Sequence, residues 1–524
     1  MKGKRVWGSA AVLGVALAVA LAWRLPKLDA RPMHGDEANQ AVRTGQLMEG
    51  GGYQYDPTDH HGPILYFAAL PFCRATAKHF SETIEWNFRL VPVTFSLVTL
   101  ILMTLLAAKR KEDDLYLNPG GLLAALLLTA CSPAMVYYNR FFIQESQLVT
   151  FLTGLFLCGV KGCSDGITPR ARKVWVACGG IFAGLAIASK ETVVLSFAAA
   201  AIALLVVFGP KRSLTALGWR EWGIALLSLL AVVVVAFTSG FTHMRGLYDA
   251  LFSTVSAYLH RATAVPEHQH PWYFYLQILF WFRYGRAALW TEAAILFPAL
   301  VTMVAAWWPR SGLPSTWRMK VRFLTVYTLA LTVIYSCIPY KTPWCGLSFL
   351  HGYLILAGIS FGLLFHWGSA PTAPKRTALR IAVGGLTCLL LALILNRSCR
   401  QAYRAAFKLP ADPRNPYVYA HTGTDAMNLV ETVKQAAEKA QGLDTPIALA
   451  VPTPDTWPLP WYFRAYRNVG YWTSVKDIHP DFNPVVVIAA ADQGDVADQR
   501  FGKGKTALFF GIRPGVLLNV FVPE

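Results

Sequence analysis

The hydrophobic residues of the chain are gathered into long runs, and polar connections separate one run from the next. A helix needs roughly 20 apolar residues to cross a hydrocarbon core of about 30 Å. Such runs lie at 6–24, 87–108, 119–137, 141–160, 174–189, 191–208, 222–242, 287–308, 322–339, 344–366 and 379–396. They predict a polytopic α-helical membrane protein with about 11 transmembrane helices.

Lysine and arginine are concentrated in alternate connections. Cytoplasmic loops carry an excess of these residues, so we expect a cytoplasmic N-terminus and a multi-pass protein of the cell inner (plasma) membrane. The long connections 25–86 and 243–286 then lie on the extracytoplasmic side. The run at 6–24 ends near 20-ALA-22, which resembles a signal-peptide cleavage site, but we expect a retained helix.

The chain becomes less hydrophobic after the last run. Residues 446–452 and 484–490 are typical of buried strands, and 426–440 have the apolar period of an amphipathic helix. We therefore predict two domains, a transmembrane domain over 1–396 and a soluble extracytoplasmic α/β domain over 397–524.

Composition supports the membrane assignment and excludes other classes. The chain is 54% hydrophobic, its mean hydropathy is +0.38 and its formal net charge is +18. The basic residues lie between apolar runs and so indicate membrane topology, not nucleic-acid binding. No two of the nine cysteines have the CxxC spacing, so neither a disulfide framework nor a zinc site is indicated. We expect buried structural thiols.

The unusual polar residues all map to the side predicted to be extracytoplasmic. Ionisable residues near a membrane need partners, so a set from separate connections predicts a composite site, with ordinary solvated loops as the alternative. The set contains Asp36, Glu37, His60, His61, Arg140, Glu145, Lys190, Glu191, His268, His270 and Lys341.

Each member of this set has a chemical and a structural interpretation. A desolvated carboxylate at Asp36 or Glu37 would act as a base, whereas both acids would also stabilise the start of a helix over 38–48. Lys190 and Lys341 would meet a lipid phosphate or snorkel to the interface. Arg140 and Glu145 straddle the start of the fourth run and would form a local ion pair or join the site.

The histidines have a less specific pattern. His60, His61, His268 and His270 would form an acceptor region or hold a divalent metal ion, the alternative being an interfacial aromatic segment around 268-HQHPWYFYL-276. Their spacing does not distinguish these interpretations.

Five segments carry a resemblance to a known family. They are 34-HGDEA-38, 55-YDPTDHHGPILY-66, 268-HQHPWYFY-275, 340-YKTPW-344 and 460-PWYFRAYRNVGYW-472. Together the segments resemble the C superfamily of membrane glycosyltransferases (GT-C), in the branch of protein mannosyltransferases and the aminoarabinose transferase of lipid A. Within that branch they are similar to an uncharacterised prokaryotic family sometimes labelled flippase-associated.

The resemblance implies a reaction. A polyprenyl-phosphate-linked sugar donor would enter from the membrane, and Asp36 would deprotonate a lipid, glycan or protein acceptor for a single inverting displacement. Glu37 would orient the acceptor or Asp36. Lys190, Lys341 and Arg140 would stabilise the departing phosphate, with Glu145 and Glu191 beside them in the donor-binding region.

Two other functions stay open on the sequence. A non-catalytic polyprenyl-lipid flippase or transport component would use the same charges along a headgroup path. A membrane-anchored binding protein would recognise glycans with the aromatic segment 457–472, although that segment could equally pack within the protein.

Overall fold

The computed structural model describes residues 2–57, 61–107, 119–164, 166–254, 256, 268–313, 315–369 and 377–524. A helix lies in each of the eleven apolar runs. These helices are Lys2–Arg24, Glu85–Ala107, Pro119–Cys131 (followed by Pro133–Tyr138), Glu145–Gly162, Pro169–Ile187, Val193–Phe208, Trp219–Phe237, Ala293–Trp307, Ser315–Cys337, Leu347–Ser369 and Thr377–Tyr403. Further helices lie in the connections and tail, at Gly35–Met48, Ile64–Arg74, Pro210–Thr215, Arg245–Tyr248, Phe274–Phe280, Asp425–Lys439, Thr453–Thr456, Leu459–Tyr462 and Gly494–Phe501.

Proline and hydroxyl residues set where several helices begin. The helix Pro169–Ile187 has Pro at its first position, where the missing N–H has no intrahelical partner to lose. Thr168 precedes it and accepts the Ala171 N–H at 3.3 Å. Pro133 begins the short helix after Ser132 in the same way and divides the third apolar run into two helices.

Small residues allow close packing of the membrane helices. Helix Pro169–Ile187 packs against both Trp219–Phe237 and Glu145–Gly162. A Cβ atom at Gly180 would lie 2.3 Å from the Ala225 carbonyl oxygen, so only glycine permits this approach of two backbones.

Five helices among the described residues are long and apolar enough to cross a membrane by length and composition. They are Glu85–Ala107, Trp219–Phe237, Trp317–Cys337, Pro343–Trp367 and Thr377–Lys408. Five shorter apolar helices accompany them. The prediction of a polytopic helical protein is confirmed.

Packing divides the chain into two compact units. The first comprises 1–26, 53–65 and 90–408, and the second comprises 27–52, 66–89 and 409–524. The domain boundary predicted at 396/397 stays a prediction.

The second unit contains a five-stranded sheet. Its strands are β1 (Ile447–Ala450), β2 (Val469–Trp472), β3 (Val486–Ala490), β4 (Lys505–Arg513) and β5 (Val516–Pro523), in the order β2-β1-β3-β5-β4. β1 is parallel to β2 and β3, whereas β5 is antiparallel to β3 and β4. The predicted strands near 446–452 and 484–490 are confirmed as β1 and β3.

Helices cover both faces of this sheet. Leu429 and Val433 of helix Asp425–Lys439 join β-strand residues such as Ile488 in one buried cluster. Ala497 of helix Gly494–Phe501 joins Val487 in a second cluster on the other face. The alternation of side chains along β3 supplies both clusters, which explains why its sequence is apolar throughout.

Candidate active site

The acidic segment lies in the second unit, at the start of the helix Gly35–Met48. His34 is the N-cap residue, and Glu37 completes a capping box by accepting the His34 N–H at 3.1 Å. The predicted helix is therefore present, but His34 caps it. The side chain of Asp36 is 52% exposed, whereas that of Glu37 is fully buried.

Arg89 holds Glu37 in place. Its guanidinium donates to both Glu37 carboxylate oxygens, at 2.9 and 2.8 Å, and also to the carbonyl oxygens of Leu28 and Arg31. Arg31 forms a second ion pair with Glu37 at 3.0 Å. The Arg89 and Glu37 side chains are both buried, so each of the two charges depends on the other for its partner.

A pair of histidines borders the same segment. The rings of His34 and His421 lie 4.8 Å apart, and both rings are buried. His421 Nε2 is 3.3 Å from Arg31 Nη1. Burial lowers the pKa of both imidazoles, which indicates neutral rings at pH 7.

The aromatic tail segment also packs within the second unit. Trp461 is fully buried, with its ring 5.2 Å from Phe88 and its Nε1 donating to Glu85 at 3.1 Å. The Arg464 guanidinium lies 3.6 Å from the Trp461 ring centroid. Because every face of this indole is enclosed, Trp461 serves packing and does not present a stacking surface.

In the first unit, Lys190 and Glu145 form a buried ion pair. The Lys190 ammonium donates to Glu145 Oε1 and lies 3.9 Å from the Cys345 thiol sulfur. Within the described residues Glu145 Oε2 is buried without a hydrogen-bond partner. Two members of the predicted donor-binding group, from the fourth span and from 189-SKE-191, are therefore in contact.

Two further predicted cations of the first unit are held by backbone carbonyls. Arg140 Nη1 donates to the Arg24 carbonyl oxygen at 2.7 Å, and its guanidinium lies 4.7 Å from the Phe407 ring. Lys341 is buried, and its ammonium donates to the His270 carbonyl oxygen at 2.9 Å.

The segments around His268 and Lys341 are paired like short strands. The Lys341 N–H donates to the His268 carbonyl oxygen at 2.9 Å, and Gln269 and Tyr340 form an antiparallel bridge. The His268 ring lies 4.9 Å from the Tyr340 ring. Two segments far apart in sequence are thus brought together.

His61 and Glu191 form a second polar group in the first unit. His61 Nδ1 lies 2.9 Å from Glu191 Oε2, and the Tyr55 hydroxyl donates to Glu191 Oε1 at 3.0 Å. A carboxylate on one ring nitrogen fixes the orientation and tautomer of an imidazole, which suits it for proton transfer or metal binding through the other nitrogen.

The metal prediction is not tested by this geometry. His60 lies outside the described residues. Across the described part of the chain no group of three or more His, Cys, Asp or Glu side chains is close enough to hold a metal ion. Metal binding by His61, His268 and His270 stays a prediction.

Sequence reasoning missed Arg89, Tyr55 and Cys345. A signal existed for Arg89, because it is the one charged residue in the apolar run 87–108, and such residues usually mark a partner. Tyr55 lies in the segment 55–66, and Cys345 directly follows the segment 340–344. A single hydroxyl or thiol among many aromatic and apolar residues gives no pattern of its own.

Comparisons with known proteins agree with this architecture. The sequence model of the family described as dolichyl-phosphate-mannose-protein mannosyltransferase matches residues 69–238. Comparison with curated protein sequences gives no match.

Solved structures similar to this chain cover nearly all of it. The structure of ArnT from Cupriavidus metallidurans bound to undecaprenyl phosphate superposes with a TM-score of 0.63 at 14% identity, over 97% of both chains. The oligosaccharyltransferase of Archaeoglobus fulgidus, tethered to an acceptor peptide, gives a TM-score of 0.56 at 11% identity, over 97% of this chain and 74% of that one. Mycobacterial arabinofuranosyltransferase AftD gives 0.51 at 11% identity, over 99% and 40%.

These matches account for the arrangement of apolar helices followed by a small sheet. The chain is a multi-pass membrane protein with the GT-C glycosyltransferase fold, and residues 69–238 carry its sequence match to the dolichyl-phosphate-mannose-protein mannosyltransferases.

Proposed function

We propose that the protein is an integral-membrane glycosyltransferase. It transfers a sugar from a polyprenyl-phosphate-linked donor to a lipid, glycan or protein acceptor, with inversion at the anomeric carbon and Asp36 as general base. The reaction takes place on the extracytoplasmic face of the inner membrane. Similarity to a protein solved with undecaprenyl phosphate supports the donor class.

The different surroundings of the two adjacent acids are the observation that carries this proposal. Both oxygens of Glu37 are bound by Arg89 and Arg31, so this carboxylate positions the segment. Asp36 precedes it on the helix and keeps half of its side chain exposed. A base must reach the proton that it removes, and Asp36 is the acid of the pair that can do so.

The cations of the first unit suit the departing group. Breaking the bond between the sugar and the lipid phosphate leaves negative charge on phosphate oxygens, which nearby ammonium and guanidinium groups stabilise. Lys190 is held by Glu145, whose second oxygen is buried without a partner among the described residues. Lys190, Lys341 and Arg140 are assigned this role. Glu191 is assigned to the donor-binding region and its partner His61 to the acceptor region.

Release of undecaprenyl phosphate tests the proposal without knowledge of the acceptor. Native membranes containing the full-length protein are supplied with a panel of undecaprenyl-phosphate-linked monosaccharides, and released undecaprenyl phosphate is quantified. Asp36→Asn should lower the rate by at least about 100-fold, because general-base catalysis contributes roughly that much.

Asp29→Asn provides a matched control, since Asp29 is an exposed acid seven residues earlier. It should retain the wild-type rate. Full activity of Asp36→Asn at normal expression would remove Asp36 as the base. Headgroup translocation in proteoliposomes without release from any donor would favour the transport function.

A further inference from the structure

The His34 imidazole holds the backbone of Asp36. Its Nε2 lies 3.0 Å from the carbonyl oxygen of Tyr419, an atom that only accepts, so Nε2 carries the ring proton. Nδ1 is therefore the acceptor, and it receives the Asp36 N–H at 3.0 Å. One ring thus joins the start of the acidic helix to the tail segment of the same unit.

The same nitrogen also faces the Asp36 side chain. His34 Nδ1 lies 3.8 Å from Asp36 Oδ2. A proton added to Nδ1 removes the lone pair that accepts the Asp36 N–H and places a new N–H beside the carboxylate. Protonation therefore exchanges a helix cap for an ion pair with the exposed acid.

We infer that His34 is a positioning residue for Asp36. As a neutral ring it fixes the Asp36 backbone and leaves the carboxylate open to an acceptor, and as an imidazolium it releases the backbone and holds the carboxylate. The consequence for catalysis rests on the proposed role of Asp36 as base.

Charged groups on three sides determine when the ring is protonated. Asp36 and Glu37 of its own helix favour the imidazolium, while Arg31 of the preceding segment opposes it. His421 lies against it from the tail. Burial is the largest effect and lowers the pKa of His34 below 6.5, so the cap is complete above pH 6.5 and is lost as the pH falls through the folded-state pKa.

Other bonds hold this segment to the tail without His34. The Tyr462 hydroxyl accepts the Met33 N–H at 2.9 Å, and Thr422 Oγ1 donates to the Met33 carbonyl oxygen at 2.6 Å. Substitution of His34 should therefore leave the unit folded. Asn, Asp, Ser and Thr are the usual N-cap residues, and their caps do not respond to pH near neutrality, so the histidine introduces a pH dependence that they would lack.

Three variants of the full-length protein separate positioning from structure. His34→Asn keeps a strong cap acceptor that does not titrate, and His34→Ala removes the acceptor. Thr422→Val removes the neighbouring bond to Met33 but leaves the imidazole. Two readouts are measured from pH 5 to 8: undecaprenyl phosphate release, and amide hydrogen exchange of peptides covering 34–40.

The wild-type rate should fall as the pH is lowered from 6.5 towards 5. Over the same range, amide exchange of the wild-type 34–40 peptides should become faster than that of His34→Asn. His34→Asn should keep its rate to lower pH. His34→Ala should be about 5-fold slower than the wild type above pH 6.5, which corresponds to the roughly 1 kcal/mol that a lost N-cap costs, and the difference should shrink at lower pH, where the wild type also loses the cap. Thr422→Val should keep the wild-type pH profile.

Identical pH profiles for wild type and His34→Asn in both readouts, or a wild-type rate in His34→Ala, would overturn the inference. A failure of the proposed function gives a different result from a failure of this inference. Asp36→Asn would then be active, while amide hydrogen exchange of the 34–40 peptides would still differ between wild type and His34→Asn at low pH. If no donor in the panel reacts, the exchange measurement alone decides.

Discussion

At the scale of single residues, the neighbouring acids Asp36 and Glu37 have different surroundings because successive helical side chains point about 100° apart. The sequence identifies both acids as candidate site residues and predicts the helix that follows them. It does not predict which acid is buried, because Arg89 lies 52 positions from Glu37 in the chain. The partner of Lys190 was likewise not predictable, since Glu145 lies 45 positions away.

Breaking the buried pair of Glu37 and Arg89 should destabilise the second unit. Glu37→Gln leaves the Arg89 guanidinium buried without a full counter-charge, which typically costs about 3–5 kcal/mol. Thermal unfolding of the purified protein in detergent would measure this loss as a lower melting temperature.

Two comparisons test the cause. The double variant Glu37→Gln/Arg89→Met should recover part of the loss, because the fully buried Arg89 charge is removed together with its partner. Glu438→Gln should change stability by less than about 0.5 kcal/mol, since its i,i+4 partner Lys434 is exposed. Equal effects of Glu37→Gln and Glu438→Gln would contradict the argument.

At the scale of elements, the apolar runs predict helices well and their ends less well. The run 119–137 is broken because Ser132 caps a new helix that begins at Pro133. The run 141–160 becomes a helix only from Glu145. Hydrophobicity is the same on both sides of these breaks, so only the cap residues reveal them.

Gly180→Ala should weaken the packing of helix Pro169–Ile187 on Trp219–Phe237. The added Cβ would lie 2.3 Å from the Ala225 carbonyl oxygen, and such overpacking costs about 1–3 kcal/mol. Gly223 on the second helix has no atom within 4 Å of the equivalent Cβ position. Gly223→Ala should therefore be neutral or stabilising in the same melting measurement, and a Gly180→Ala melting temperature at or above that of Gly223→Ala would contradict the packing argument.

At the scale of the whole molecule, the second unit is built from three separate parts of the chain. The sequence predicts the sheet of the tail from local apolar patterns. It does not predict that residues 27–52 pack with the tail, because the bonds involved join residues such as Met33 and Thr422, 389 positions apart. Hydrophobic periodicity carries no information about pairs at that separation.

A chain ending at Lys408 should lose both the order of the acidic segment and sugar transfer. The truncation removes Tyr419, Thr422 and Tyr462, which bind His34 and Met33. Trypsin should then cleave after Arg43 faster than it does in the full-length protein, and undecaprenyl phosphate release should cease.

Cutting the folded protein after Lys408 breaks the chain but leaves the tail in place. This experiment distinguishes the effect of losing the tail's contacts from the effect of breaking the chain. With a specific protease site inserted after Lys408, cleavage should leave trypsin cutting after Arg43 as slow as in the uncut protein, because the hydrogen bonds to residues 419–462 persist without the covalent link. A truncated chain that still transfers sugar would show that the tail serves another purpose, such as glycan recognition. Activity that survives cutting but not truncation would instead show that the tail acts by holding the segment that carries Asp36.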